Sequence, residues 1–377
     1  MAIGRGGLRR GRRAGPVSTS LPAPLPSVLA PELFEQEVAR TRAYIDAARA
    51  AATRRAYAAD WRVFTAWCAA RGLAALPATP ATVAVFLTVM KDGAPAADPP
   101  CPPRKVSTLS RYLAAINDRH RENGHLTPGE QDGGHALRRT FAGIRNTHGV
   151  RPSRKAAADG DVLARMLAGI AGDDVRSARD RALLAIGMAA ALRRSELVAL
   201  TCADIAVVPE GLRLFVARSK TDQAAQGVWI AIPEGQSIRP KALLLDWLRT
   251  GRIADGPVFR KLTQIRVAAR DPLSGTILRG DDGKALRQPM ADRIQPGAMS
   301  AQGVALVIKA RAHAAGLDPA LFAGHSLRAG FLTEAARQPG ANLFKMREVS
   351  RHRSIEILAD YIRNHDLFRD HAGDGFL

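Results

Sequence analysis

The chain has 377 residues, enough for two domains with separate cores. Its 55 Lys and Arg against 35 Asp and Glu leave a formal charge of +20, which points to a polyanionic partner, above all nucleic acid. Three scattered cysteines, Cys68, Cys101 and Cys202, fit neither a disulfide framework nor a zinc pattern, and no apolar run reaches the length of a transmembrane helix.

Residues 1–31 carry Arg5, Arg9, Arg10, Arg12 and Arg13, no acidic residue, and many Gly and Pro. They are expected to be a disordered basic arm, either lying on phosphates or a passive leader. No apolar stretch of a secretory signal follows, so a cytoplasmic protein with buried thiols and no membrane contact is expected. Residues 32–145 read as helices. A first helical pattern runs through PELFEQEVARTRAYIDAARA. Thr53 is placed as the cap of a second, with Tyr57, Trp61, Phe64, Trp67 and Cys68 on one face and Gly72 as its stop. Thr79-Pro80 starts a third that ends at Gly93. A Pro-rich loop follows, then a helix opened by Ser107 or Thr108, and a last helix over GGHALRRTFAGIRN. This all-α domain places Arg54, Arg55, Arg104, Lys105, Arg111, Arg119, Arg138, Arg139 and Arg145 at helix ends and loops. Singly these are solvated charges; as a set they suit one groove of a duplex.

Residues 146–158, polar, basic and aperiodic, read as a linker. The domain from 159 to 377 opens with two helices and a break near Ala191-Leu192-Arg193, which puts Arg193 at a helix junction; Glu196 is expected to be structural. LRLFVAR and GVWIAIP form a hairpin with Lys220 at the start of its turn, and ADIAVV is a possible third strand. RPKALLLDWLRTG is an amphipathic helix, while 251–299 are loop-rich and resist assignment. Ser326 is placed as the cap of a helix that sets His325 and Arg328 one turn apart. Ser354 is placed as the cap of SIEILADYIR, which carries Tyr361. The tail after it has amphipathic character suited to packing on its own or a neighbouring protomer. The fold class expected is mainly α with a small antiparallel β-sheet.

Arg193 in ALRRSELVAL, Lys220 in RSKTD, His325 and Arg328 in HSLR, and His352 and Tyr361 in SRHRSIEILADY resemble, in order, the catalytic positions of tyrosine recombinases, the phage integrase family. The nine-residue step from His352 to Tyr361 also matches. The resemblance spans roughly residues 38 to 368 and implies a helical, SAM-like core-binding domain followed by a mixed α+β catalytic domain. Three positions depart from the family's commonest pattern: Ala191 and Arg351 stand where Gly is usual, and Ala329 where His or Arg is usual. None of these removes a reacting group.

The chemistry fits the residue types. Metal-free attack on a phosphodiester needs cations on the non-bridging oxygens, a proton source for the leaving oxygen and a nucleophile. Arg193 and Arg328 suit the first role through their planar guanidinium forks, and Lys220 suits the second. His325 suits acceptance or relay of the tyrosine proton, His352 donation to the phosphate, and Tyr361 attack, leaving a 3′-phosphotyrosine. The resemblance implies a site-specific recombinase that needs no metal, ATP or other cofactor, takes no small-molecule ligand, and works as a homo-tetramer on two double-stranded DNA sites. A type IB topoisomerase-like nicking-religating enzyme and a non-catalytic DNA-binding accessory protein are the alternatives.

Overall fold

The computed structural model describes residues 31–93, 101–149, 155–217, 227–265, 268–287, 291–338, 340–352, 354–356, 358, 359 and 361. The basic arm, the tip of the Lys220 hairpin with Lys220 itself, and the tail from 362 lie outside the described residues. The chain divides into two compact units, residues 1–152 and 153–377.

The first unit contains helices α1 (Pro31–Ala47), α2 (Ala51–Ala69), α3 (Pro80–Asp92), α4 (Val106–Glu122) and α5 (Gly134–His148), with no strand among the described residues. Its core follows helical spacing: Phe64, Trp67 and Cys68 on α2, Val83, Phe86, Leu87 and Met90 on α3, Leu109, Tyr112 and Ile116 on α4. Phe86 is the hub, with ring centroids 4.9 Å from Phe64, 5.3 Å from Trp67 and 5.4 Å from Tyr112. The Thr79 hydroxyl accepts from the Thr82 N–H at the start of α3, and Gly93 takes φ 81° at its end, as the sequence predicts. Two caps differ from expectation. Helix α2 starts at Ala51, so Thr53 lies inside its first turn. Helix α4 starts at Val106 behind Lys105, so Ser107 and Thr108 are also inside. Ala51 and Ala52 favour helix strongly enough to extend α2 past the better capping residue.

The second unit is built on α7 (Val175–Ala189), whose residues Ala182 to Ile186 are wholly buried. Around it pack α6 (Gly160–Ala168), α9 (Pro240–Thr250), α10 (Ala301–Ala314) and α11 (Ser326–Arg337); α8 (Arg194–Ala199) and α12 (Leu343–Ser350) complete the described long elements. Strands β1 (Ile205–Val208), β2 (Gly211–Val216) and β3 (Val228–Pro233) form an antiparallel sheet in that order. Leu212, Leu214, Val216, Ile230 and Ile232 alternate onto its buried face. The stretch 251–299, unassigned from sequence, contains a second antiparallel pair, β4 (Arg260–Ile265) with β5 (Ala291–Ala298). One isolated bridge, Ala268–Arg287, continues it outward, and two more, Arg270–Ile277 and Arg279–Ala285, close two short hairpins beyond. The mainly helical class with small antiparallel sheets is as expected. Among the described residues no helix is long and apolar enough to cross a membrane.

Candidate active site

Three chain reversals in the second unit bring Arg193, Arg328 and His352 together, with His325 and Tyr361 near enough to act electrostatically on or with Arg328. At the first, α7 ends and Ala191 turns the chain at φ 47°, with Ala191 and Leu192 N–H groups donating to Met188 and Gly187 carbonyls. Arg193 then caps α8. Its N–H donates to Glu196 Oε2 at 2.9 Å and its guanidinium to Oε1 at 2.6 Å. Glu196 is buried, and this spacing of three is that of a capping box.

The second reversal precedes α11. His325, not Ser326, occupies the cap position, and Ser326 is the first helical residue. The Ser326 hydroxyl accepts from the Ala323 N–H, and its carbonyl accepts from Ala158. Arg328, one turn on, is 1% exposed and donates to the Ala191 carbonyl at 2.7 Å. His325 keeps an exposed edge at the helix start.

The third reversal ends α12. Arg351 takes φ 53° and His352 follows. The Arg328 guanidinium lies 3.3 Å from His352 Nδ1, which also contacts the Ser350 hydroxyl at 2.9 Å. The same guanidinium nitrogen lies 3.4 Å from Nε2, so it faces the ring edge between the two nitrogens. The described residues from 355 to 361 are helical, and Tyr361 packs on a small cluster of Leu332, Ala336, Met346 and Leu358. Its phenol is close enough to act electrostatically on Arg328. Ser354 contacts the Glu356 carboxylate at the start of that helix.

Arg351 and Glu196 are the residues whose part sequence reasoning missed. The Arg351 guanidinium donates to Glu196 Oε2 at 2.7 Å and to the Ala190 and Ala191 carbonyls at 3.3 Å. One buried carboxylate thus serves Arg193 and Arg351. The capping-box spacing was the signal available for Glu196; for Arg351 it was a large side chain standing where the resembling family has Gly. Both departures from Gly, Ala191 and Arg351, fall at left-handed backbone, where Gly is the residue of least strain.

The electrostatics follow from three guanidiniums around one carboxylate. Burial, then the Arg193 and Arg351 cations, push Arg328 down to about 9, which leaves it charged at neutral pH. Burial, then Arg328 and Arg193, push His352 down to about 4, so its ring is neutral. His325 is lowered by burial, then by Arg328, Arg193 and Arg194. Burial alone raises the Glu196 carboxyl, yet Arg351 and Arg193 together hold it below its ordinary value and ionised. Among the described residues, no cluster of three or more His, Cys, Asp or Glu is arranged to hold a metal ion.

No family model matches the chain. An integrase/recombinase of Selenomonas ruminantium, a xerD homolog, is 33% identical to it over 334 residues, covering 87% of this chain and 86% of the relative. The chain belongs to the tyrosine recombinase family. It is a site-specific recombinase, and this membership stands over the topoisomerase-like and accessory alternatives. The integrase of transposon Tn1549, solved with transposon right-end DNA, superposes with a TM-score of 0.50 at 13% identity. That match covers 88% of this chain and 93% of the integrase, and shows a shared fold. A lambda integrase dimer bound to a core site gives 0.48 at 17% identity, covering 86% and 94%.

Proposed function

We propose that Tyr361 is the nucleophile of this recombinase and that Arg193, Lys220, His325, Arg328 and His352 serve it. The observation that carries the reading is the charge imbalance of the site. Arg193 and Arg351 pair with one carboxylate, Glu196, and Arg328 lies beside them, so among the described residues a mostly buried position keeps an excess of positive charge. Excess buried charge is costly unless a counter-charge arrives, and a phosphodiester supplies one.

The Tyr361 oxygen attacks phosphorus, and the bond from phosphorus to the 5′ oxygen breaks. His325, held neutral by its surroundings, is suited to take the phenol proton. Lys220 returns a proton to the leaving 5′ oxygen. His352 donates a ring N–H to a non-bridging oxygen, beside the buried Arg328 charge. The 3′-phosphotyrosine conserves the phosphodiester bond energy, so attack by a 5′ hydroxyl of a second duplex completes strand exchange without ATP. Double-stranded DNA is the partner. The chain acts as a homo-tetramer on two sites, with the helical unit as core-binding domain and the second unit as catalytic domain.

The test is a nicked suicide duplex library with a randomised centre, from which wild-type adducts are recovered on a denaturing gel and sequenced to give the site. Wild type forms a covalent adduct on that site and Tyr361→Phe forms none. Adducts persisting in Tyr361→Phe would sink the assignment. Two differently labelled duplexes in the same assay read strand exchange, and a native gel reads the number of protomers; a complex of fewer than four would overturn the tetramer.

A further inference from the structure

We propose that Arg351 is a positioning residue: its guanidinium locks the turn carrying His352 onto the turn carrying Arg193, so that the two phosphate-facing groups are set as one unit. The inference rests on the reading of the active site above.

The geometry is specific. Arg351 reaches from the end of α12 to the α7–α8 junction and directs its donors to three acceptors there. These are Glu196 Oε2 at 2.7 Å and the Ala190 and Ala191 carbonyls at 3.3 Å. It also donates to its own turn at the Val349 carbonyl. Its side chain is 7% exposed, so these contacts are made away from water, where they hold geometry firmly. The same Ala191 carbonyl takes the Arg328 guanidinium at 2.7 Å, and the same Glu196 carboxylate takes Arg193 at 2.6 Å. One carbonyl and one carboxylate therefore fix three cations relative to each other, and Arg351 is the member adjoining His352.

Packing alone does not account for this arginine. Position 351 has left-handed backbone, where a side chain is strained and Gly is not. A residue kept there against that preference contributes something its side chain alone supplies. Among the described residues, a bare turn would leave His352 tied to the α7–α8 junction through Arg328, by contacts of 3.3 and 3.4 Å, and would leave Glu196 to Arg193.

The test uses the full-length chain and the nicked duplex recovered with wild type. Arg351→Gly relaxes the backbone and removes the strut; Arg351→Lys keeps the charge but not the planar guanidinium fork. Single-turnover cleavage is measured at saturating DNA, beside DNA affinity and the thermal midpoint. Arg351→Gly is expected to melt lower, since a buried ion pair loses one partner, yet to stay folded at the assay temperature and to saturate with DNA, while cleavage there slows on the order of a hundredfold, the cost of displacing reacting groups by about an ångström. Arg351→Lys is expected to recover part of the rate. If Arg351→Gly cleaves at the wild-type rate, or if its loss is matched by incomplete DNA saturation or by the fraction unfolded at the assay temperature, the positioning role is overturned while the Tyr361 reading stands. If wild type yields no adduct at all, the reading of the site falls and takes this inference with it.

Discussion

His352 shows how the site tunes a single group. Its ordinary pKa of 6.5 is lowered to about 4, first by burial and then by Arg328 and Arg193. Between those values the unfolded chain binds a proton that the folded chain refuses. The favourable contribution is therefore complete above about 6.5 and is lost as pH falls toward 4. His325 acts in the same direction. In the first unit so does buried His120, whose Nε2 accepts from the Ala78 N–H while Nδ1 donates to the Ile116 carbonyl. The thermal midpoint is expected to fall on acidification across that window, and His352→Gln to make the fall shallower. An unchanged pH slope in that variant would contradict a neutral, half-buried His352. At the same scale the three-residue spacing of Glu196 from Arg193 is visible in the sequence, though it was read only as structural, whereas Arg351 lies 155 residues from Glu196 and nothing local announced the contact.

Among the elements, α11 decides where Arg328 sits, and two glycines let it come close. A Cβ on Gly330 would lie 1.8 Å from the Ala158 carbonyl oxygen, and one on Gly187 of α7 would lie 2.6 Å from Leu327. The backbone of 155–158, inside the stretch read as linker, runs along this helix start through Ala156 to Leu321 and Ala158 to Ser326 hydrogen bonds. Gly330→Ala is expected to destabilise the second unit by about 1–3 kcal/mol or more, the usual cost of overpacking, and to lower cleavage by shifting Arg328. A melt and a cleavage rate matching wild type would refute the close approach. Helix bounds were largely readable because periodicity and Thr79–Pro80–Gly93 punctuation are local. The caps at Thr53 and Ser326 were misplaced because one residue's capping preference is weaker than the context that starts the helix elsewhere. The β4–β5 ribbon was unreadable because its pairing joins residues across a long polar segment.

Across the whole molecule, the charge of +20 makes DNA binding salt-dependent. The structure narrows the basic set of the first unit. Arg111 is committed to Asp60 through two bonds of 2.6 and 2.9 Å, Arg119 pairs with Glu122 at 3.3 Å, and Arg138 bonds the Gly129 carbonyl. Arg55, Arg104, Lys105, Arg139 and Arg145 remain exposed. Replacing Arg55, Arg139 and Arg145 by Ala is expected to weaken binding on all sequences alike. The slope of log affinity on log salt should fall by about 0.9 for each phosphate that is no longer neutralised. A parental slope in the triple variant would remove these residues from the interface.

The sequence by itself determined a cationic protein and helices with readable faces, and it named a candidate set in chain order, Arg193, Lys220, His325, Arg328, His352 and Tyr361. These are properties of residue identity and short-range spacing. Tertiary structure decided how the cations are held. It put Arg193 and Arg351 on one carboxylate, set Arg328 and Arg351 on one carbonyl, and made a strut of a residue that read as a mere departure from Gly. The reason is physical: a buried carboxylate recruits whichever donors the fold brings within about 3 Å, and that proximity comes from packing between helices far apart in sequence.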